Sequence, residues 1–143
     1  MGGRHIRTTA QEFAERLKAE RTALLFCELV KIEFWHGWKK AAETQAFPYE
    51  WANWDNLAGR VPYLKRGDRL LKQFLSQFPA YEQKILKTIK DNVVDIMAMY
   101  NLGSYDAIHI GTAIYRKVYN IASFDEDFRR VGGIQLWNNR AFG

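Results

Sequence analysis

Three aspartates in the C-terminal third of this chain have the types and spacing to hold a metal ion. Asp106 lies in LGSYDAIHIGTA (Leu102–Ala113), and Asp125 and Asp127 lie in the acidic run FDEDF. Ser104 to Lys117 reads as an apolar helix, with Ala107, Ile108, Ile110, Gly111, Ala113 and Ile114 on most of its sides, and Tyr119 to Ser123 reads as a short strand. A helix of that length rises roughly 20 Å, and the strand runs back about 16 Å. Set antiparallel, the start of the helix meets the end of the strand, and the three acids share one rim. Crowded carboxylates are costly, and a divalent cation relieves the cost.

Each acid has a plainer role as well. Ser104 is a good N-cap, and an acid in a first helical turn gains about 0.3–1 kcal/mol from the helix dipole. The same dipole keeps Asp106 ionised, as a ligand must be. Asp125 and Asp127 flank Glu126 and could form a solvated turn balanced by Arg129 and Arg130. Position favours the chemical reading, because ligands of open α/β sheets bind beyond the carboxyl ends of the strands, where Asp125 falls.

A further acid is expected from the other strand–helix unit, in which ALLFC (Ala23–Cys27) leads into a helix from Leu29 to about Ala42. Glu33 shares a partly apolar face with Leu29, Val30 and Gly37 and is the preferred inward acid. Glu28, which can pair with Lys31 three residues on, is the reserve. His109 stands three residues after Asp106; it could shuttle a proton, but a satisfied histidine in a buried helix is the commoner case. Nothing has the arrangement of a Ser/His/Asp triad, a phosphate-cradling glycine loop or a zinc site.

The elements that must position these residues follow from the hydrophobic pattern. Thr9 and Glu12 have the form of a capping box, predicting a helix to about Glu20 that buries Phe13, Ala14 and Leu17. The strand ALLFC and the helix after it lean toward an α/β fold, since parallel strands need such crossovers. Phe47 to Tyr63 is irregular, punctuated by Pro48, Gly59 and Pro62 and crowded with Phe47, Tyr49, Trp51, Trp54 and Tyr63. Gly67 to Phe78 reads as a helix. Pro79 suits the start of another, running to about Asn101 and ended by Gly103. A last strand is expected near Ile134–Trp137.

With 143 residues, 48% hydrophobic and 15% aromatic, the chain is expected to be one globular domain over residues 1–143. No apolar run is long enough to span a membrane, and MGGRHIRTTAQEF lacks the core of a signal peptide. The single cysteine, Cys27, lies in an apolar segment, can form no internal disulfide and fits a cytoplasmic location. The net charge of +5, gathered at Lys39–Lys40, Lys65–Arg66–Arg69–Lys72 and Arg129–Arg130, favours polyanions such as nucleic acid, or acidic protein segments.

The residues LGSYDAIHIGTA and IASFDEDFRRVGGIQLW (Ile121–Trp137) resemble the C-terminal half of a PIN domain, the fold of the VapC-type toxin ribonucleases. Helix, strand, acidic turn and last strand arrive in the family's order and at its separation. TAQEFAERLKAERTALLFCELVKIEF, within Thr9 to Trp38, resembles the family's earlier helix, second strand and acid-bearing helix, and puts Glu33 in the place of the family's glutamate. Residues 43–78 match poorly and read as an aromatic-rich insertion.

The resemblance implies a three-layer α/β/α domain with a mainly parallel sheet. It implies a ribonuclease in which Glu33, Asp106 and Asp125 hold Mg²⁺ or Mn²⁺, with Asp127 as a direct or hydrogen-bonded contributor and Ser123 orienting the carboxylates. The cation would activate water for in-line attack on the phosphate. Lys39, Lys40, Arg129 and Arg130 would meet the RNA, a tRNA- or rRNA-like substrate. An antitoxin protein would block the cleft, and a homodimer is a further expectation. The family also begins with a central strand that carries an aspartate, whereas here no aspartate precedes Asp55. The first central strand and its acid are therefore expected to be missing. A reading frame that begins upstream of Met1, direct pairing of the flanking strands, or a partner chain would make good the loss. This departure motivates the competing expectation, a catalytically inactive PIN-like module that binds RNA or protein.

Overall fold

The computed structural model describes the backbone of residues 2–44 and 55–138 and the side chains of residues 10–44 and 55–138. The aromatic residues Phe47, Tyr49, Trp51 and Trp54 of the expected insertion lie outside the described residues. The chain divides into two compact units, Met1–Thr22 with Gln83–Gly143, and Ala23–Glu82. The described strands form two separate two-stranded sheets.

In the first unit, helix α1 (Gly2–Ala19) buries Phe13 and Leu17, and Phe13 meets Phe124 edge-on at 5.7 Å. The helix begins at Gly2, so Thr9 is an interior residue and not the expected cap. The helix expected from Pro79 is instead two elements: strand β2 (Ala80–Gln83), which Pro79 precedes, and helix α4 (Lys87–Tyr100). The apolar stripe of that segment, Ile85, Leu86, Ile89, Val93, Ile96, Met97 and Tyr100, is buried or half-buried, Ile89 most deeply, and Val94, outside the stripe, is 73% exposed. Asn101, not Gly103, ends α4, taking the left-handed conformation at φ 52°, where asparagine is among the few tolerated side chains. Gly103 is the N-cap of the next helix, α5 (Ser104–Tyr115), so Ser104 is its first residue and not its cap.

Helices α4 and α5 pack at Gly111, where a Cβ would lie 3.0 Å from Ile89 Cγ2 and 3.4 Å from Ile96 Cδ1. Beyond α5, strands β3 (Asn120–Ala122) and β4 (Gln135–Trp137) pair in parallel, with Ile121 opposite Leu136. The Trp137 indole donates to Asn120 Oδ1 at 2.8 Å. Leu102, Ile110, Phe128, Val131 and Leu136 form the buried core, with Ile96, Tyr100, Ile121 and Ile134 against it. Ile110 is wholly buried, which fixes the rotation of α5 about its axis.

The second unit holds β1 (Leu24–Cys27), α2 (Leu29–Glu43), α3 (Leu57–Ser76) and most of β2. Helix α3 starts ten residues before the expected Gly67, because Asn56 caps it: its side-chain oxygen accepts the Gly59 N–H at 2.8 Å. Pro62, which reads as punctuation, is inside this helix. Trp38 of α2 stacks on Tyr63 of α3, centroids 4.8 Å apart. The Trp38 indole donates to the Tyr63 carbonyl at 2.8 Å, and the Tyr63 hydroxyl donates to the Trp38 carbonyl at 2.7 Å. Both polar groups are thereby satisfied inside an aromatic contact. Cys27 is buried, as its apolar setting predicts.

Candidate metal centre

Asp106 is the third residue of α5, half-buried in the first turn, where the exposed N–H groups and the helix dipole favour a negative charge. Burial of Ala107, Ile110, Gly111, Thr112 and Ala113 holds the rest of the helix in place behind it. The acidic turn is a 3₁₀ helix, Glu126–Arg130, anchored in the core by Phe128. Its shape is set by a short relay of hydrogen bonds. The Asp125 N–H donates to Ser123 Oγ at 3.0 Å, and the Asp127 N–H donates to Asp125 Oδ1 at 2.9 Å. Asp125 is therefore the N-cap of the turn as well as a candidate ligand. Ser123 lies where the resemblance puts an orienting hydroxyl, and it does contact the backbone of the first acid of the turn.

One carboxylate oxygen from each of Asp106, Asp125 and Asp127 lies within 4.8 Å of the other two. Oxygens sharing an octahedral cation of the size of Mg²⁺ are separated by roughly 3–4.2 Å, from ligand distances of about 2.1 Å. An all-carboxylate donor set of this spread suits a hard divalent cation and not a soft, thiolate-seeking one. The rim read from the spacing of α5 and β3 is thus present in the folded chain.

The other residues read from the sequence are placed as follows. Glu33 is half-buried on α2 and Glu28 precedes that helix; both belong to the second unit. His109 is half-buried on α5. Of the basic residues, Lys39 pairs with Glu43 at 2.8 Å, Arg129 pairs with Glu126, and Arg130 pairs with Asp127 at 2.9 Å. The 3₁₀ turn thus carries two acid–arginine pairs three residues apart, a spacing legible in EDFRR. The reading of Arg130 as an RNA contact missed a second bond that no local pattern encodes, its Nη1 donating to the Asn101 carbonyl at 2.7 Å.

In the second unit the Trp35 indole donates to Asp68 Oδ1 at 3.1 Å, and Lys72 pairs with the other Asp68 oxygen at 2.8 Å. The Lys72 ammonium and then the Trp35 N–H hold the Asp68 carboxyl below its ordinary pKa. Trp35, Trp38, Leu64, Lys65 and Asp68 line a shallow pocket there.

No described helix is long and apolar enough to cross a membrane. No curated protein and no solved structure gives a significant match to the chain. The family model for the PIN domain matches residues 4–134, spanning both units and every acid named above. With that match over nearly its whole length, the chain belongs to the PIN domain family.

Proposed function

We propose that this protein is a metal-dependent endoribonuclease and the toxin of a toxin–antitoxin pair, in the manner of the VapC-type PIN domains it resembles. The observation that carries the reading is the gathering of Asp106, Asp125 and Asp127 within one cation's reach in a chain of the PIN family. PIN domains are nuclease-like and generally use divalent ions, so the cluster has a chemistry to perform and not only a turn to cap.

In this reading Asp106, Asp125 and Asp127 hold Mg²⁺ or Mn²⁺, and Glu33, in the place of the family's glutamate, is the candidate for a fourth carboxylate. The bound ion would supply an activated water and charge stabilisation at the scissile phosphate. The dipole of α5 favours negative charge at its first turn, and Ser123 Oγ accepts the Asp125 N–H, so two of the acids would be held in place before an ion arrives. The basic side chains, with Lys39 and Lys40 among them, attract the RNA backbone, and tRNA- or rRNA-like substrates suit such a surface. An antitoxin segment and a second copy of the chain are the partners this reading expects, acting in the cytoplasm.

The test is cleavage of tRNA and rRNA by the purified chain with Mg²⁺ or Mn²⁺, set beside Asp106→Asn. Metal-dependent cutting that drops at least about a hundredfold in the variant is expected. Equal cutting by both proteins would overturn the assignment. RNA binding with no cutting under any divalent ion would favour an inactive binding module, the reading motivated by the absence of an aspartate before Asp55.

A further inference from the structure

We infer that Arg130 is a positioning residue, whose guanidinium staples the turn that carries Asp127 to the end of the helix that leads into Asp106. Its Nη2 donates to Asp127 Oδ1 at 2.9 Å, and its Nη1 donates to the carbonyl of Asn101 at 2.7 Å, 29 residues away in sequence. The two contacts have different consequences. The first orients one carboxylate of the cluster. The second takes hold of backbone that is itself fixed. Asn101 closes α4 in the left-handed conformation, with its own N–H and that of Leu102 both turned back to the Met97 carbonyl. Only Leu102, which is buried in the core, and Gly103, the N-cap, separate Asn101 from α5, whose third residue is Asp106.

The guanidinium therefore spans from the frame of one acid to the carboxylate of another. Its planar fork is what allows it to serve both acceptors at once. A lysine ammonium could reach one but lacks two parallel donors at a fixed separation. Both side chains of the Asp127–Arg130 pair are about half exposed, 50% and 46%, so the ion pair alone contributes little to stability. Its effect is on the separation of the two acids. Groups behind the ligands commonly change metal affinity by an order of magnitude or more. Arg129, one residue earlier, pairs with Glu126 and makes no described bond beyond the turn, which provides an internal control.

This inference rests on the metal-centre reading for its effect on ion affinity, but the staple can be read without a metal. The experiment uses the full chain as wild type, Arg130→Met, Arg130→Lys, Arg129→Met, Asp127→Asn and Arg130→Met/Asp127→Asn. Mn²⁺ affinity is followed by the free-ion electron paramagnetic resonance signal, and amide hydrogen exchange is measured with no metal added. Arg130→Met is expected to weaken Mn²⁺ binding about tenfold and to speed exchange both at residues 102–107 and in the 3₁₀ turn. Arg130→Lys should recover only part of the loss, and Arg129→Met should leave affinity near wild type. Because Arg130 acts through Asp127, its removal from Asp127→Asn should cost no further affinity. Wild-type affinity and exchange in Arg130→Met would overturn the inference, and so would a loss that simply adds to that of Asp127→Asn. If the wild type binds no Mn²⁺, the metal-centre reading fails. The staple is then decided by exchange alone: faster exchange in both segments supports it, and unchanged exchange overturns it.

Discussion

Gly67 lies so close against the Trp38 indole that a Cβ on it would stand 2.5 Å from Cδ1 and 2.6 Å from Nε1. Helix α3 can approach α2 only because position 67 has no side chain. Elsewhere in a helix, Gly→Ala gains about 1 kcal/mol. Here the inserted methyl would push on a ring held by its stack on Tyr63 and by its own N–H bond to the Tyr63 carbonyl, and overpacking of this kind costs about 1–3 kcal/mol. Gly67→Ala is therefore expected to destabilise the protein, as read by urea or thermal unfolding. Gly111→Ala, where the nearest atom is an Ile89 methyl at 3.0 Å, should cost less than Gly67→Ala. The reverse order would show that the α2–α3 contact is softer than its geometry implies.

Lys117 is a lysine in a glycine's conformation. Its φ is 56°, and its N–H and that of Val118 return to the last carbonyls of α5. A side chain in this region carries a steric cost of about 1–2 kcal/mol, part of which glycine gives back through its looser unfolded chain. Lys117→Gly should raise stability by about 0.5–1 kcal/mol, measured as an upward shift of the unfolding midpoint.

Acid should release Trp35. The Asp68 carboxyl is held below its ordinary pKa by Lys72 and then by the Trp35 N–H. A group whose pKa is depressed by folding stabilises the native state above its unfolded pKa. That contribution is lost as pH falls through the lower folded value. A step in tryptophan emission is expected below the ordinary aspartate range, and it should vanish in both Asp68→Asn and Trp35→Phe. Persistence of the step in Asp68→Asn would assign it to another group.

Glu33→Gln probes the fourth acid of the proposed centre. If Glu33 belongs to the metal set, the variant should lose cleavage by about tenfold to a hundredfold while keeping its unfolding midpoint. Unchanged cleavage would take Glu33 out of the set and direct the same test to Glu28.

The C-terminal site was legible because its parts are local or follow from strong periodicity. The burial of α5 shows in its run of small and branched residues, and strands β3 and β4 show as two short apolar runs, although their pairing does not. Capping was less legible. Thr9 and Ser104 are good caps by type, yet α1 continues through Thr9 and Gly103 takes the cap of α5. Pro79 was misread because a proline at a helix start and one just before a strand look alike when the residues that follow are half-apolar, as AYEQ is. The Trp38–Tyr63 exchange of bonds and the Arg130–Asn101 bond join positions 25 and 29 residues apart. No spacing rule reaches that far.

The relay through the acidic turn also bears on ion size. Asp125 Oδ1 is engaged by the Asp127 N–H, and Asp127 Oδ1 is engaged by Arg130. In the proposed centre each of these acids would offer its other oxygen most freely, so a cation between them would be gripped one atom per acid and not in a bidentate clasp. Calcium fills its six to eight positions with help from bidentate carboxylates, whereas magnesium and manganese take six and readily keep several waters. With two of the six oxygens of Asp106, Asp125 and Asp127 spent on the turn itself, the proposed centre would disfavour the larger ion by denticity, before any difference in cavity radius comes into play.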